Sequence, residues 1–171
     1  MLRIFRRLRV WFDFVELRLK KCLIDSVKGE YDMSDNEKFE GLKRSLVDEN
    51  ERNYGEETRK RYGSKAVDES NAKFMGLSEE QYGEAERLRL RFEETLQAAF
   101  GTGDPAGELA RQACELHRQW LGLLSPVSYD RQYHRALGEM YVNDERFRAN
   151  YDKLAPGCTE FLRDAINIYC K

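Results

Sequence analysis

A chain of 171 residues with 41% hydrophobic and 35% charged side chains can bury one compact core and carry an appendage, but it cannot supply two large domains. The net charge of −2 hides an asymmetry, because residues 1–28 hold eight basic side chains against three acidic ones and the remainder sums to −7. An acidic body is a poor partner for phosphate backbones, so the main domain is not expected to bind nucleic acid, and apolar runs this short make neither an export signal nor a membrane span.

The expected location is therefore the cytoplasm, with no membrane contact. Cys22, Cys114, Cys158 and Cys170 show no CxxC pairing and no histidine at metal-ligand spacing, which predicts free thiols and neither a metal nor a cofactor. Only three prolines interrupt long spans rich in Glu, Lys, Arg, Leu and Ala. That pattern favours helices throughout, and no segment alternates as a strand does.

In the first segment Met1, Phe5, Leu8, Phe12, Val15, Leu19 and Cys22 recur at spacings of 4, 3, 4, 3, 4 and 3, a heptad seam. Trp11, Phe14, Leu17 and Ile24 widen the apolar stripe. Three readings fit residues 1–33: a dimerisation helix, a helix docked on its own domain, and a basic helix lying on a membrane surface.

A second segment opens at Ser34, where Ser34 and Glu37 form a capping box before Phe39, Leu42 and Leu46. Gly55 and Gly63 are expected to close short polar helices, with another short helix before Gly76. Nineteen of the forty residues 34–73 are charged, so this region can bury little and should be weakly held when nothing is bound.

Ser78 and Gln81 make a second capping box for a long helix that Gly101 should end, with Tyr82, Leu88, Phe92, Leu96 and Phe100 on one face. In "GTGDPAG" Asp104 reads as a cap and Pro105 as the first helical residue; the GK[ST] ending of a phosphate loop is missing. The next helix carries Leu109, Ala113, Leu116, Trp120 and Leu123 at spacings of 4, 3, 4 and 3, and reads as the central core helix. Ser125 and Pro126 break it. Ser128 is expected to cap its successor, and Asn143 or Asp144 the one after. Pro156 begins the last helix, with Phe161, Leu162, Ala165, Ile166 and Tyr169 facing inward.

No set of nucleophile, base and orienting group is visible, and the chain has only two histidines. His117 sits one position off the core stripe and reads as a boundary residue; His134 lies between Tyr129 and Tyr133. An enzyme built on His134 has no nameable substrate, and nothing in composition singles out either histidine as a haem ligand. Trp120, Tyr129, Tyr133, Met140, Tyr141, Phe147 and Tyr151 crowd the last third of the chain, a mix that suits either a helical core or a small-molecule pocket.

Four blocks tip that balance toward a pocket by resemblance: "KFEGLK" from Lys38, "YGSKAVDESNAKFMGLSEEQY" from Tyr62, "GDPAGELARQACELHRQWL" from Gly103 and "MYVNDERFRANYDKLAPGCTEFLRDAI" from Met140. Together they resemble the TipAS domain, the carboxy-terminal drug-recognition part of TipA/Mta-type MerR-family transcriptional regulators. The resemblance implies an all-α, globin-like domain over residues 34–171 that binds no haem, is not an enzyme, and senses hydrophobic, often macrocyclic antibiotics such as thiopeptides. It implies an amino-terminal part that orders on the drug. Trp120, Tyr133, His134, Met140, Tyr141 and Phe147 are then the expected ligand contacts.

Two departures from the family pattern stand out. Residues 1–33 resemble the tail of a dimerisation helix with no helix-turn-helix ahead of it, which suggests a free-standing or truncated form that pairs, through residues 1–28, with itself or with a full-length regulator. Ala136 stands where the family's thiopeptide-capturing cysteine falls, and alanine cannot be a nucleophile, so binding should be reversible. The alternative reading is a dimerising interaction protein that modulates a regulator without binding any ligand.

Overall fold

A computed structural model describes residues 35–171, and among them every regular element is an α-helix. They are α1 (Asp35–Tyr62), α2 (Ser64–Met75), α3 (Glu79–Thr102), α4 (Glu108–Leu124), α5 (Arg131–Asn143), α6 (Glu145–Asp152) and α7 (Cys158–Tyr169). The heptad helix expected over residues 1–33 and the Ser34 cap lie outside the described residues. The chain divides into two units, one holding the described residues 35–83 and 124–127, the other 84–123 and 128–171.

In the first unit, Gly55 does not end a helix, contrary to the sequence reading, and α1 runs on to Tyr62. One glycine costs a helix interior only about 1 kcal/mol. Here its missing side chain also makes room: a Cβ on Gly55 would meet Glu51 Oε2 at 2.5 Å. Glu51 uses that space to accept from Arg59 Nη2 at 3.0 Å and Asn71 Nδ2 at 2.8 Å, and Arg59 Nη1 also donates to Asp68 Oδ1 at 2.8 Å. Gly63, at φ 88°, makes the real break between α1 and α2. The buried Lys43 spans the same hairpin, donating to the carbonyls of Met75 at 2.7 Å and Leu77 at 2.8 Å and pairing with Glu40. Phe39, Phe74 and Tyr82 close its apolar side, edge to face.

The Ser78–Gln81 capping box forms reciprocally, at 3.0 and 3.1 Å. Its helix passes through Gly101 and stops at Gly103, where φ is 71°. Asp104 organises a turn by accepting from Ala106 N, and Pro105 stays in that turn, so α4 begins three residues later than expected.

The second unit buries a wider face of α4 than the one predicted. Leu109 is 37% exposed, whereas Ala110, Cys114, His117 and Leu121, spaced 4, 3 and 4, are buried together with Ala113, Leu116 and Trp120. The cap of α5 is Asp130, which accepts from Tyr133 N at 2.7 Å, and not Ser128. Asp144 ends α5 and its carbonyl receives Arg148 N at the start of α6. Pro156 precedes α7 without entering it: Gly157, at φ 88°, reverses the chain, and Asp152 Oδ1 reaches over to accept from Thr159 N and Oγ1. Leu162, Ala165 and Ile166 face the core, and Gly138 of α5 lets α7 approach closely.

Candidate functional site

Within the second unit, α4, α5 and α6 bring aromatic and imidazole side chains into one buried cluster. His117 reaches it because it shares the α4 seam with Ala110, Cys114 and Leu121, and His134 because it shares a face of α5 with Tyr133, Leu137, Met140 and Tyr141. The ring nitrogens His117 Nδ1 and His134 Nε2 are 2.7 Å apart. The other two nitrogens are occupied as well, His117 Nε2 by the Tyr141 hydroxyl at 3.1 Å and His134 Nδ1 by the Tyr129 hydroxyl at 3.2 Å. Both histidines are fully buried, so His117 is no boundary residue.

Rings pack this line on every side. Phe92 stacks on His117 at 4.9 Å, Trp120 lies 5.9 Å from it, and Tyr129 and Tyr169 meet His134 edge-on at 5.5 and 5.9 Å. Beyond Tyr141 the cluster continues to Tyr151 at 5.0 Å and Phe147 at 5.8 Å. Arg118 lies over the Tyr129 ring and pairs with Glu115, which also accepts from the Tyr169 hydroxyl.

Burial decides the charge state of these groups. It depresses His117 far below the ordinary histidine value, helped by its neighbour His134. It brings His134 down to about 3, with Arg118 adding to the effect and Glu115 opposing it. Burial likewise pushes the Cys114 thiol up to about 12 and Cys158 to about 11, and raises Cys170. The interior thus holds neutral imidazoles and protonated thiols: it can exchange hydrogen bonds and stack on flat groups, but it offers no activated nucleophile. Among the described residues no group of three His, Cys, Asp or Glu side chains could hold a metal ion.

All six residues expected to contact a ligand are in this unit, and all are buried, from 0% exposed at His134 and Tyr141 to 7% at Met140. Trp120, His134 and Tyr141 meet through His117, and Phe147 joins through Tyr141. Tyr133 and Met140 share the same face of α5. Sequence reasoning missed His117 as the hub, along with Phe92 beneath it. The signal was present in the second row of α4, spaced 4, 3 and 4, but a small alanine and a histidine disguise that row.

The family model of the TipAS antibiotic-recognition domain matches residues 54–169. The HTH-type transcriptional activator TipA of Streptomyces coelicolor and that of Streptomyces lividans are each 40% identical over 121 residues, 66% of this chain and 45% of theirs. The HTH-type transcriptional activator mta of Bacillus subtilis is 28% identical over 151 residues, 85% of this chain and 56% of its own. The chain thus spans about half the length of the curated relatives it matches. Among solved structures, TipAS from Streptomyces lividans in complex with nosiheptide, part of a thiopeptide antibiotic multidrug resistance system, is 32% identical with a TM-score of 0.60, over 82% of this chain and 96% of that one. The all-helical fold is of the same globin-like class.

Proposed function

The chain belongs to the TipAS antibiotic-recognition domain family, and on that premise we propose that it is the drug-sensing part of a transcriptional regulator, reversibly binding hydrophobic or macrocyclic, thiopeptide-like compounds. The observation that carries this reading is the likeness to TipAS solved with nosiheptide, which extends over 96% of that chain. The family is one of regulator ligand-binding domains, so the chain acts by binding and not by turnover. Trp120, Tyr133, His134, Met140, Tyr141 and Phe147 supply what such a ligand needs: rigid flat faces, polar tips and one adaptable thioether. Because these side chains are buried, they meet a ligand only as the cluster opens, and the cost of opening lowers affinity while sharpening selectivity.

Reversibility is the reading that the thiols among the described residues support. Ala136, half-buried on α5, brings a methyl group to the position at which covalent capture would need sulfur. Cys114, Cys158 and Cys170 are buried and held protonated, which leaves them poor nucleophiles. The heptad-patterned residues 1–28 would pair with a second copy or with a longer regulator. No helix among the described residues is long and apolar enough to cross a membrane, which suits a domain working in the cytoplasm.

Calorimetric titration of the full chain with a thiopeptide and a panel of amphiphilic drugs tests the reading. Saturable heat is expected, with the protein mass unchanged after the complex is denatured. No heat across the panel overturns the function, and a cysteine adduct overturns reversibility alone.

A further inference from the structure

The contact between the two histidines restricts where protons can sit. At 2.7 Å the gap between His117 Nδ1 and His134 Nε2 holds one proton. Two would clash, and none would set lone pair against lone pair. Both rings are neutral in a fully buried site, so each has one N–H and one bare nitrogen.

Only two arrangements then satisfy all three contacts. In one, the Tyr129 hydroxyl donates to His134 Nδ1, His134 Nε2–H donates to His117 Nδ1, and His117 Nε2–H donates to the Tyr141 oxygen. In the other every direction is reversed: Tyr141 donates to His117 Nε2, His117 Nδ1–H to His134 Nε2, and His134 Nδ1–H to the Tyr129 oxygen. The rings therefore carry the same tautomer in either case, both protonated at Nε2 or both at Nδ1. A mixed pair breaks the central bond and leaves polar atoms buried without partners, at a cost of about 1–3 kcal/mol for each.

We propose that Tyr129, His134, His117 and Tyr141 form a two-state hydrogen-bond relay whose histidines change tautomer together, so that the partner of the half-buried Tyr129 hydroxyl sets whether Tyr141 donates or accepts at the far end. The outer end is placed for this, since Tyr129 lies under Arg118 and is only partly covered. At the inner end, Tyr141 belongs to the cluster with Phe147 and Tyr151 of α6. In going from the first arrangement to the second, each ring gains a proton at Nδ1 as it loses one at Nε2. One proton enters at Tyr129 from water and one is given up to water at Tyr141, which is fully buried, so the exchange takes place as the cluster transiently opens, with no net change of charge. The relay is a property of the ligand-free chain and goes beyond the proposed drug binding, so it stands even if the chain binds no drug.

Long-range ¹H–¹⁵N correlation of the imidazole nitrogens in the intact protein tests it, because the chain has only two histidines and each ring reports its own tautomer. At neutral pH both rings should be neutral and show matching tautomers. Matching populations of the two forms are equally expected if the relay interconverts. Tyr129→Phe and Tyr141→Phe keep the ring packing and remove one end each. A changed tautomer population at the far ring, His117 in the first variant or His134 in the second, is the expected sign of coupling. Opposite tautomers, or an imidazolium at neutral pH, overturn the relay from the unsubstituted protein alone, whatever the variants do. Far rings unchanged in both variants overturn it as well.

Discussion

Phe92 of α3 stacks on His117 of α4 with ring centroids 4.9 Å apart and planes 30° from parallel, sealing one face of an imidazole whose two nitrogens are already bonded. Burial penalises the charged form of both histidines, so the folded state favours their neutral forms.

The consequence is acid sensitivity. Both histidine values are depressed by burial, so their contribution to stability is full above about pH 6.5, the ordinary histidine value, and falls as pH drops toward the folded values. One pH unit below 6.5 the loss is about 1.4 kcal/mol for each histidine, roughly 3 kcal/mol in all. Glu86, raised by burial, works in the opposite sense nearer its own range, so urea unfolding at pH 7.5 and 5.5 isolates the histidines best. A flat midpoint between those two values would contradict neutral burial.

Lys43 predicts a local loss in the α1–α2 hairpin. Its ammonium group has three donors and three acceptors, at Met75 O, Leu77 O and Glu40, and it lies 4.7 Å from the Phe39 ring centroid. Lys43→Met keeps the aliphatic stem and leaves two carbonyls at the end of α2 without this donor. The expected loss is about 2–4 kcal/mol, the range for buried charge-assisted bonds of this kind. Amide hydrogen exchange should accelerate in α1 and α2. Exchange rates equal to those of the unsubstituted chain would mean that the lysine is replaceable by packing alone.

Much of this architecture was legible in the sequence, and the failures share a physical cause. Local chemistry read well: Ser78 and Gln81 cap each other, and Leu88, Phe92 and Leu96 share one buried face. Glycine read less well, because Gly55 serves the Glu51–Arg59–Asn71 network, a relation between residues up to 20 positions apart. The width of the buried face of α4 was underestimated because its second row, Ala110, Cys114, His117 and Leu121, mixes small and imidazole side chains with a single leucine. For the site, the crowding of aromatics marked the right third of the chain. His117 and His134, however, lie 17 residues apart on different helices, and their contact exists only after those helices pack.

Gly138 predicts a size limit between α5 and α7. A Cβ built there would sit 3.4 Å from both Arg163 Cα and Ile166 Cδ1, the near edge of ordinary contact. Gly138→Ala should therefore be close to neutral, since a small shift in the neighbours is offset by about 1 kcal/mol of recovered helix propensity. Gly138→Leu has no such room and should lose about 2–3 kcal/mol or more through overpacking against backbone. Thermal unfolding of the two variants distinguishes a close helix contact from a glycine of no consequence, for which leucine would be the more stable choice.

The start of α5 offers a comparison between two candidate caps. Ser128 has the residue type and lies just after the break at Pro126, but Asp130 has the geometry: its backbone is extended at φ −142° and ψ 168°, and its carboxylate accepts from Tyr133 N at 2.7 Å. The carboxylate also meets the positive end of the helix dipole, an interaction that a serine hydroxyl two residues earlier does not make. Asp130→Ala should lose about 1 kcal/mol and Ser128→Ala almost nothing. The effect should reach beyond stability, because α5 carries Tyr133 and His134 in its first turn and the cap fixes where that turn begins. If drug binding uses His134, then Asp130→Ala should weaken binding along with stability, whereas Asp130→Asn, which keeps the acceptor and discards the charge, should restore most of both. Equal losses at Asp130 and Ser128 in urea unfolding would show that neither side chain caps the helix on its own.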